Sequence, residues 1–244
     1  VYGQDAPASK VLQSERMKAI VTPEGLASVT DPLDRYGADI VSTRAPWGRL
    51  KIVYRTGNGK WVEMPHQRQS ELNTDGNRMV LASGESTDPV TLTQNFSLAG
   101  NALDWEIEIG TRDGKEVEIG DLALYLPWSI ARSENPDTIF ERSFTKHHFI
   151  SGNGSFIYFT RPSGEPPYLM ILPGEGTGLE YFDGGRGGYR VYMHSAVAAA
   201  GVESGTWRQP NTSVTIGGST GHETLKYRFR SAWADSWDVM RQLL

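Results

Sequence analysis

Leu103-Asp-Trp-Glu-Ile-Glu-Ile109 alternates apolar and acidic side chains without a break. Leu225-Lys-Tyr-Arg-Phe-Arg230 does the same with basic partners. A period of two is the mark of a strand that buries one face and wets the other. On either side of these two segments, turn chemistry recurs at short intervals. Asn58-Gly59 separates Leu50–Arg55 from Trp61–His66, Asp113-Gly114 separates Trp105–Ile109 from Glu116–Ile119, and Asn153-Gly154 separates His147–Ile150 from Ser155–Thr160. Such dipeptides supply the positive φ angles of tight hairpins. Further strands are expected at Met17–Val21, Met79–Ser83, Val90–Phe96, Leu122–Leu126, Tyr168–Leu172, Tyr189–Ala196 and Ser213–Ile216. About fifteen short strands in one domain imply an all-β fold, a large antiparallel sandwich of two sheets.

Composition agrees with one large core. A chain of 244 residues with 38% hydrophobic content buries roughly 70–75% of its unfolded surface. With no cysteine, a disulfide scaffold, a thiolate metal site and a cysteine nucleophile are excluded. Twenty-four basic and 29 acidic residues leave a net charge of −5, which argues against nucleic acid as a partner. Every apolar run is broken by charge, Pro or Gly well before the roughly 18 residues a membrane span requires, so no membrane span is expected. Residues 1–16 read as an irregular segment, residues 17–233 as the sandwich, and residues 234–244 as a short helix with Trp237, Met240 and Leu244 on one face. That helix stops while still apolar and reads as the start of a linker. The glycine-rich stretch Gly174–Gly188 reads as a surface excursion.

Three groups of residues carry candidate chemistry. Phe140–Ser155 packs Glu141, two cations, His147, His148 and three aromatics into one short stretch. On a strand His147 and His148 face opposite sides, so at most one points at a given site and a shared metal site is disfavoured. Seven tryptophans fit carbohydrate handling, because sugar rings stack on flat indoles. Trp105 belongs to the core by its alternation. Trp47, inside Ala45-Pro46-Trp47-Gly48, and Trp128, after Pro127, read as loop residues at a binding face. Isolated acids and bases follow: Asp121, Glu141, Glu175, Glu180, Asp183, His194 and His222. No Gly-x-Ser-x-Gly elbow, His-Glu-x-x-His pair or Asp-x-Asp-x-Asp-Gly loop occurs, so neither a cofactor nor a metal is expected.

Lys146-His-His-Phe-Ile-Ser-Gly-Asn-Gly-Ser-Phe-Ile-Tyr-Phe-Thr-Arg-Pro162, then Pro167-Tyr-Leu-Met-Ile-Leu-Pro173, then Tyr227-Arg-Phe-Arg-Ser-Ala-Trp-Ala-Asp-Ser236 running into a helix resembles the N-terminal β-supersandwich of bacterial carbohydrate-active proteins. These domains are similar in fold to galactose mutarotase, and the resemblance covers nearly the whole chain. It implies a secreted, periplasmic or cell-surface glycoside hydrolase-like protein. Its sandwich would precede an (α/α) toroid, a C-terminal helical domain that carries the catalytic acids. In that reading the present chain walls a cleft for an oligo- or polysaccharide without the main catalytic acids. Trp47, Trp128, Glu141, His147, His148, Tyr181, Asp183 and Arg186 are the glycan-contact candidates. No residue aligns with the mutarotase catalytic His and Glu. Two other readings stay open. One is a self-sufficient aldose epimerase in which His147, His148 or His194 is the acid and Glu141, Glu180 or Asp183 the base. The other is a plain glycan-binding module.

Overall fold

The computed structural model describes residues 9–65, 71–75, 78–83, 87–131, 133–185, 188–200, 211–219 and 223–244. It opens on a three-stranded meander, β1 (Lys10–Gln13), β2 (Lys18–Thr22) and β3 (Gly25–Thr30). The expected irregular segment therefore already holds a strand. Only Leu12 of β1 is buried, so its sequence carries no alternation to read.

The chain then builds two larger antiparallel sheets by passing between them. β4 (Leu50–Arg55) and β5 (Val62–Glu63) enter the six-stranded sheet, and β6 (Glu71–Asp75), β7 (Arg78–Ser83), β8 (Val90–Ala99) and β9 (Ala102–Thr111) form a meander in the eight-stranded one. β10 (Val117–Tyr125) returns to the six-stranded sheet beside β4. After the short helix α1 (Pro136–Arg142), β11 (Thr145–Phe149), β12 (Phe156–Thr160) and β13 (Tyr168–Pro173) extend the large sheet to its edge. β14 (Tyr181–Gly185), β15 (Gly188–Ser195) and β16 (Val214–Ile216) complete the small sheet. β17 (Thr224–Ala234) then inserts between β13 and β9, and α2 (Trp237–Leu243) follows. The result is the expected all-β sandwich, with the small N-terminal sheet added.

Two expectations change. Asp113-Gly114 does adopt left-handed backbone, φ +57° and +65°, but β9 and β10 lie in different sheets. The turn is a crossing between layers and not a hairpin. Gly174–Gly188 is not a bare excursion either, since it contains β14, which pairs with β15. In the two true hairpins the positive φ falls on the glycine before the Asn, Gly57 and Gly152, and not on the Asn-Gly pair itself.

Register makes the core. Phe96 lies opposite Trp105, and Trp105 opposite Phe229, so three aromatic rings cross neighbouring strands at centroid spacings of 5.4 and 6.1 Å. Such rows are the unit of sheet stabilisation. The Trp105 indole donates to Gln94 Oε1 at 3.1 Å, and Gln94 Nε2 donates to the Gly48 carbonyl at 2.9 Å. A buried amide is thereby satisfied. On the opposite face of the same strands, Lys226, Arg228 and Arg230 pair with Glu108, Glu106 and Asp104 at 2.7–2.9 Å. At its far end this outer face is covered by α2, whose Met240 packs with Tyr168, Met170 and Ala234. Ser236 caps the helix by accepting from Val239 N at 3.2 Å.

Candidate functional site

Trp47 is a correction. It is 1% exposed, its indole donates to the Pro127 carbonyl at 2.9 Å, and its ring stacks on Phe159 at 5.9 Å. The segment is a loop, as Ala45-Pro46 and Gly48 announce, but it runs through the core. Its backbone exchanges both hydrogen bonds with Leu26. Gly25 permits this, because at φ +126° a Cβ would lie 2.2 Å from the Trp47 carbonyl oxygen. Trp47 has no surface to offer a sugar.

Trp128 is placed differently. It bridges to Val41, packs at a tilt on Phe159 at 6.3 Å and stays half-buried. It lines an open groove of about 430 Å³ with Ser42, Thr43, Arg44 and Ser129. His147 and His148 split as alternation requires. His147 lies on the outer face, stacked on Tyr158 at 4.6 Å and hydrogen-bonded to Thr160 Oγ1 at 3.1 Å. His148 turns inward, 4.0 Å from the Phe182 ring and stacked on Tyr189 at 5.3 Å. Tyr181 and Asp183 occupy the outer face of the small sheet. There Tyr192 Oη and Arg190 donate to Asp183 at 2.6 and 3.3 Å, and the Tyr181 ring lies 5.4 Å from Tyr192. Glu141 sits on α1, where its backbone carbonyl accepts from Arg161 Nε at 2.5 Å. Arg186 and His222 lie outside the described residues.

The residue that joins Trp128 to His148 is one the sequence did not single out. Lys146 Nζ sits 3.8 Å above the Tyr189 ring, 5.7 Å from Phe182 and 5.9 Å from Trp128, and donates to His148 Nδ1 at 2.9 Å. Burial lowers the Lys146 pKa. Burial, together with the charges of Lys146 and His147, pushes His148 down to about 4. The imidazole is therefore neutral at pH 7, with Nδ1 accepting and its proton on Nε2. Here the edge of the large sheet meets the edge of the small one.

A second constellation lies between the sheets. β15 carries one extra residue opposite β10, because Leu122 pairs with His194 and Ala123 with Tyr192. This bulge at Met193 turns His194 inward. His194 Nε2 then meets Tyr227 Oη of the other sheet at 2.7 Å, and Nδ1 meets Thr212 Oγ1 at 2.9 Å. The Thr212 hydroxyl in turn donates to Glu180 Oε1. Glu180 Oε2 accepts from Thr212 N at 2.8 Å and Ser195 Oγ at 3.0 Å. Glu180, His194, Thr212 and Tyr227 line an open pocket of about 390 Å³ together with Gly152, Gly176 and Gly178. Among the described residues His194 and Glu180, 3.9 Å apart, are the one histidine–carboxylate pair within 4 Å.

Burial holds His194 near pKa 4 and raises Glu180 and Tyr227. An unfolded His194 takes a proton near pH 6.5 and the folded one only near 4. Stability from this group is thus complete above 6.5 and lost as pH falls through that window. Glu180 acts in the opposite sense, since acid relieves its buried charge. We expect His194→Gln to flatten the fall in Tm between pH 6.5 and 4, measured by calorimetry. An unchanged pH slope in the variant would refute this assignment.

No protein-family model and no curated protein matches this sequence. Solved structures do match. A polysaccharide lyase superposes with a TM-score of 0.70 at 13% identity, over 97% of this chain and 34% of its own. The chain thus spans about a third of that lyase. A galactose mutarotase-like protein from Lactobacillus casei gives 0.63 at 9% identity, over 93% of this chain and 100% of its own. A putative aldose 1-epimerase from Escherichia coli K12 gives 0.57 at 8%, over 95% and 100%. The chain therefore has the galactose-mutarotase-like β-sandwich fold.

Proposed function

We propose that this chain is a glycan-binding β-sandwich domain of a secreted or periplasmic carbohydrate-active protein. In this reading it forms one wall of a polysaccharide cleft, and a helical domain of the same protein carries the catalytic acids. The observation that carries the proposal is the Trp128 groove. It combines a half-buried indole for stacking with the hydroxyls of Ser42, Thr43 and Ser129, the mix of one flat apolar face and a few polar groups that orients a sugar. The fold shared with a polysaccharide lyase and with mutarotase-like proteins supports it. The self-sufficient epimerase is less well served. Its acid and base must bracket a sugar's ring oxygen and anomeric hydroxyl, whereas His194 and Glu180 share one threonine hydroxyl. The test is affinity electrophoresis and calorimetric titration against soluble polysaccharides. Trp128→Ala is expected to weaken binding about tenfold or more, with a smaller loss of Tm than removal of a fully buried tryptophan, because its ring is only half-buried against Phe159. Absence of binding to any polysaccharide, or full affinity in the variant, would overturn the reading.

A further inference from the structure

Lys18, Lys51 and Lys146 are half-buried, and their surroundings differ. Lys51 meets the buried carboxylate of Asp121 at 2.9 Å, which holds its charge. Lys18 has neither a carboxylate within 4 Å nor a ring or imidazole against it among the described residues. Lys146 is enclosed. Its Nζ lies 3.8 Å from the centre of the Tyr189 ring, 5.7 Å from Phe182 and 5.9 Å from Trp128, and its hydrogen-bond partner is His148 Nδ1 at 2.9 Å. Lys146 and His148 stand on β11 of the large sheet, Phe182 and Tyr189 on β14 and β15 of the small one. Ring faces answer an ammonium more weakly than a carboxylate does, and burial removes the water that would otherwise hold the charge. The amine is thereby drawn toward its neutral, nucleophilic form.

Two neighbours make this more than a desolvated lysine. Burial, with the charges of Lys146 and His147, keeps His148 near pKa 4, so its Nδ1 carries no proton and is an acceptor in contact with the amine. Phe182 is 39% exposed, so one wall of the cage is reached from solvent.

We infer that Lys146 captures an aldehyde as an imine, with His148 taking the proton that the amine gives up. The step balances without a further reactant. The Nζ lone pair adds to the carbonyl carbon as the C–O π pair moves onto oxygen, and one Nζ proton passes through His148 Nδ1 to that oxygen, which gives a carbinolamine. The nitrogen lone pair then expels hydroxide while the remaining Nζ proton leaves through His148, and the two depart as water. A C=N bond remains. The aldehyde is a simple alkanal or the open-chain end of a reducing sugar, which share this carbonyl.

The test incubates the full chain with butanal or with glucose in the presence of cyanoborohydride, which reduces an imine to a stable amine, and follows each lysine by peptide mass mapping. Lys146 is expected to be alkylated at least about tenfold faster than half-buried Lys18 and exposed Lys60. His148→Phe, which keeps a ring beside Tyr189 and Phe182, should slow Lys146 about tenfold or more and leave Lys60 unchanged. A fast adduct with butanal alone identifies an alkanal site and one with glucose a sugar-aldehyde site, and either supports the proposal. Alkylation of Lys146 no faster than that of Lys18 by both aldehydes overturns it. That outcome is read on the parent chain, so it holds whether or not a variant folds. His148→Phe reacting at the parent rate overturns the proton transfer through the imidazole.

Discussion

Replacing Arg161 by methionine is expected to destabilise the protein by about 3–5 kcal/mol, the range for stripping one partner from a buried ion pair. The side chain is fully buried and Asp34 is 2% exposed. The guanidinium ties three loops together. It meets the carboxylate of Asp34 after β3 at 2.6 Å, the carbonyl of Glu141 on α1 at 2.5 Å and the carbonyl of Pro166 after β12 at 2.5 Å. The rings of Tyr36 and Phe144 lie 5.1 and 5.7 Å away. Methionine fills much of the volume but leaves two carbonyls without this donor and the Asp34 charge without a counter-ion. Asp34 would keep only the backbone donors Tyr36 N and Ala38 N. Urea midpoints measure the loss. Adding Asp34→Asn should recover part of it, because that removes the stranded charge. A loss under about 1 kcal/mol would show that the pair is solvated in solution.

The second large effect belongs to Trp47. Its replacement by alanine is expected to cost about 3–5 kcal/mol, as large-to-small changes of buried aromatics do. It removes the ring against Phe159 and the donor to the Pro127 carbonyl. Any folded variant should bind glycan as the parent does. Trp128→Ala is expected to behave the other way, with a smaller loss of stability, since its ring is only half-buried, and with affinity lost. Comparing calorimetric Tm with titration for the two variants separates a core indole from a binding one. Equal loss of affinity in both would mean that the loop carrying Trp47 also shapes the groove.

The contrast between these tryptophans marks what sequence carries and what it does not. Strands with one wet face, such as Leu103–Ile109 and Leu225–Arg230, announce themselves, because water and core enforce opposite choices on alternate residues. β14 does not, for Tyr181-Phe182-Asp183-Gly184-Gly185 has too few apolar positions to show a period. A loop reads as a loop from Ala45-Pro46 and Gly48, but nothing local says that it threads between β3 and β4 inside the sandwich. Asp113-Gly114 has the same turn chemistry whether the next strand pairs with the last or crosses to the other sheet. The opposition of His147 and His148 was legible, since it follows from pleat geometry alone. Lys146 was hidden for the converse reason. Its character comes from the rings of Trp128, Phe182 and Tyr189 around it in space, and chain order holds no record of that.

The bulge at Met193 carries an evolutionary consequence. An extra residue in a strand is absorbed where it stands, so the pairs on either side keep their partners, Leu122 with His194 and Ala123 with Tyr192. Deleting residue 193 would restore strict alternation in β15 and still leave His194 opposite Leu122, turned toward Tyr227. A lineage carrying this sandwich can therefore gain or discard the extra residue and keep its polar link between the sheets, which is lost only by substitution of the histidine or its partners.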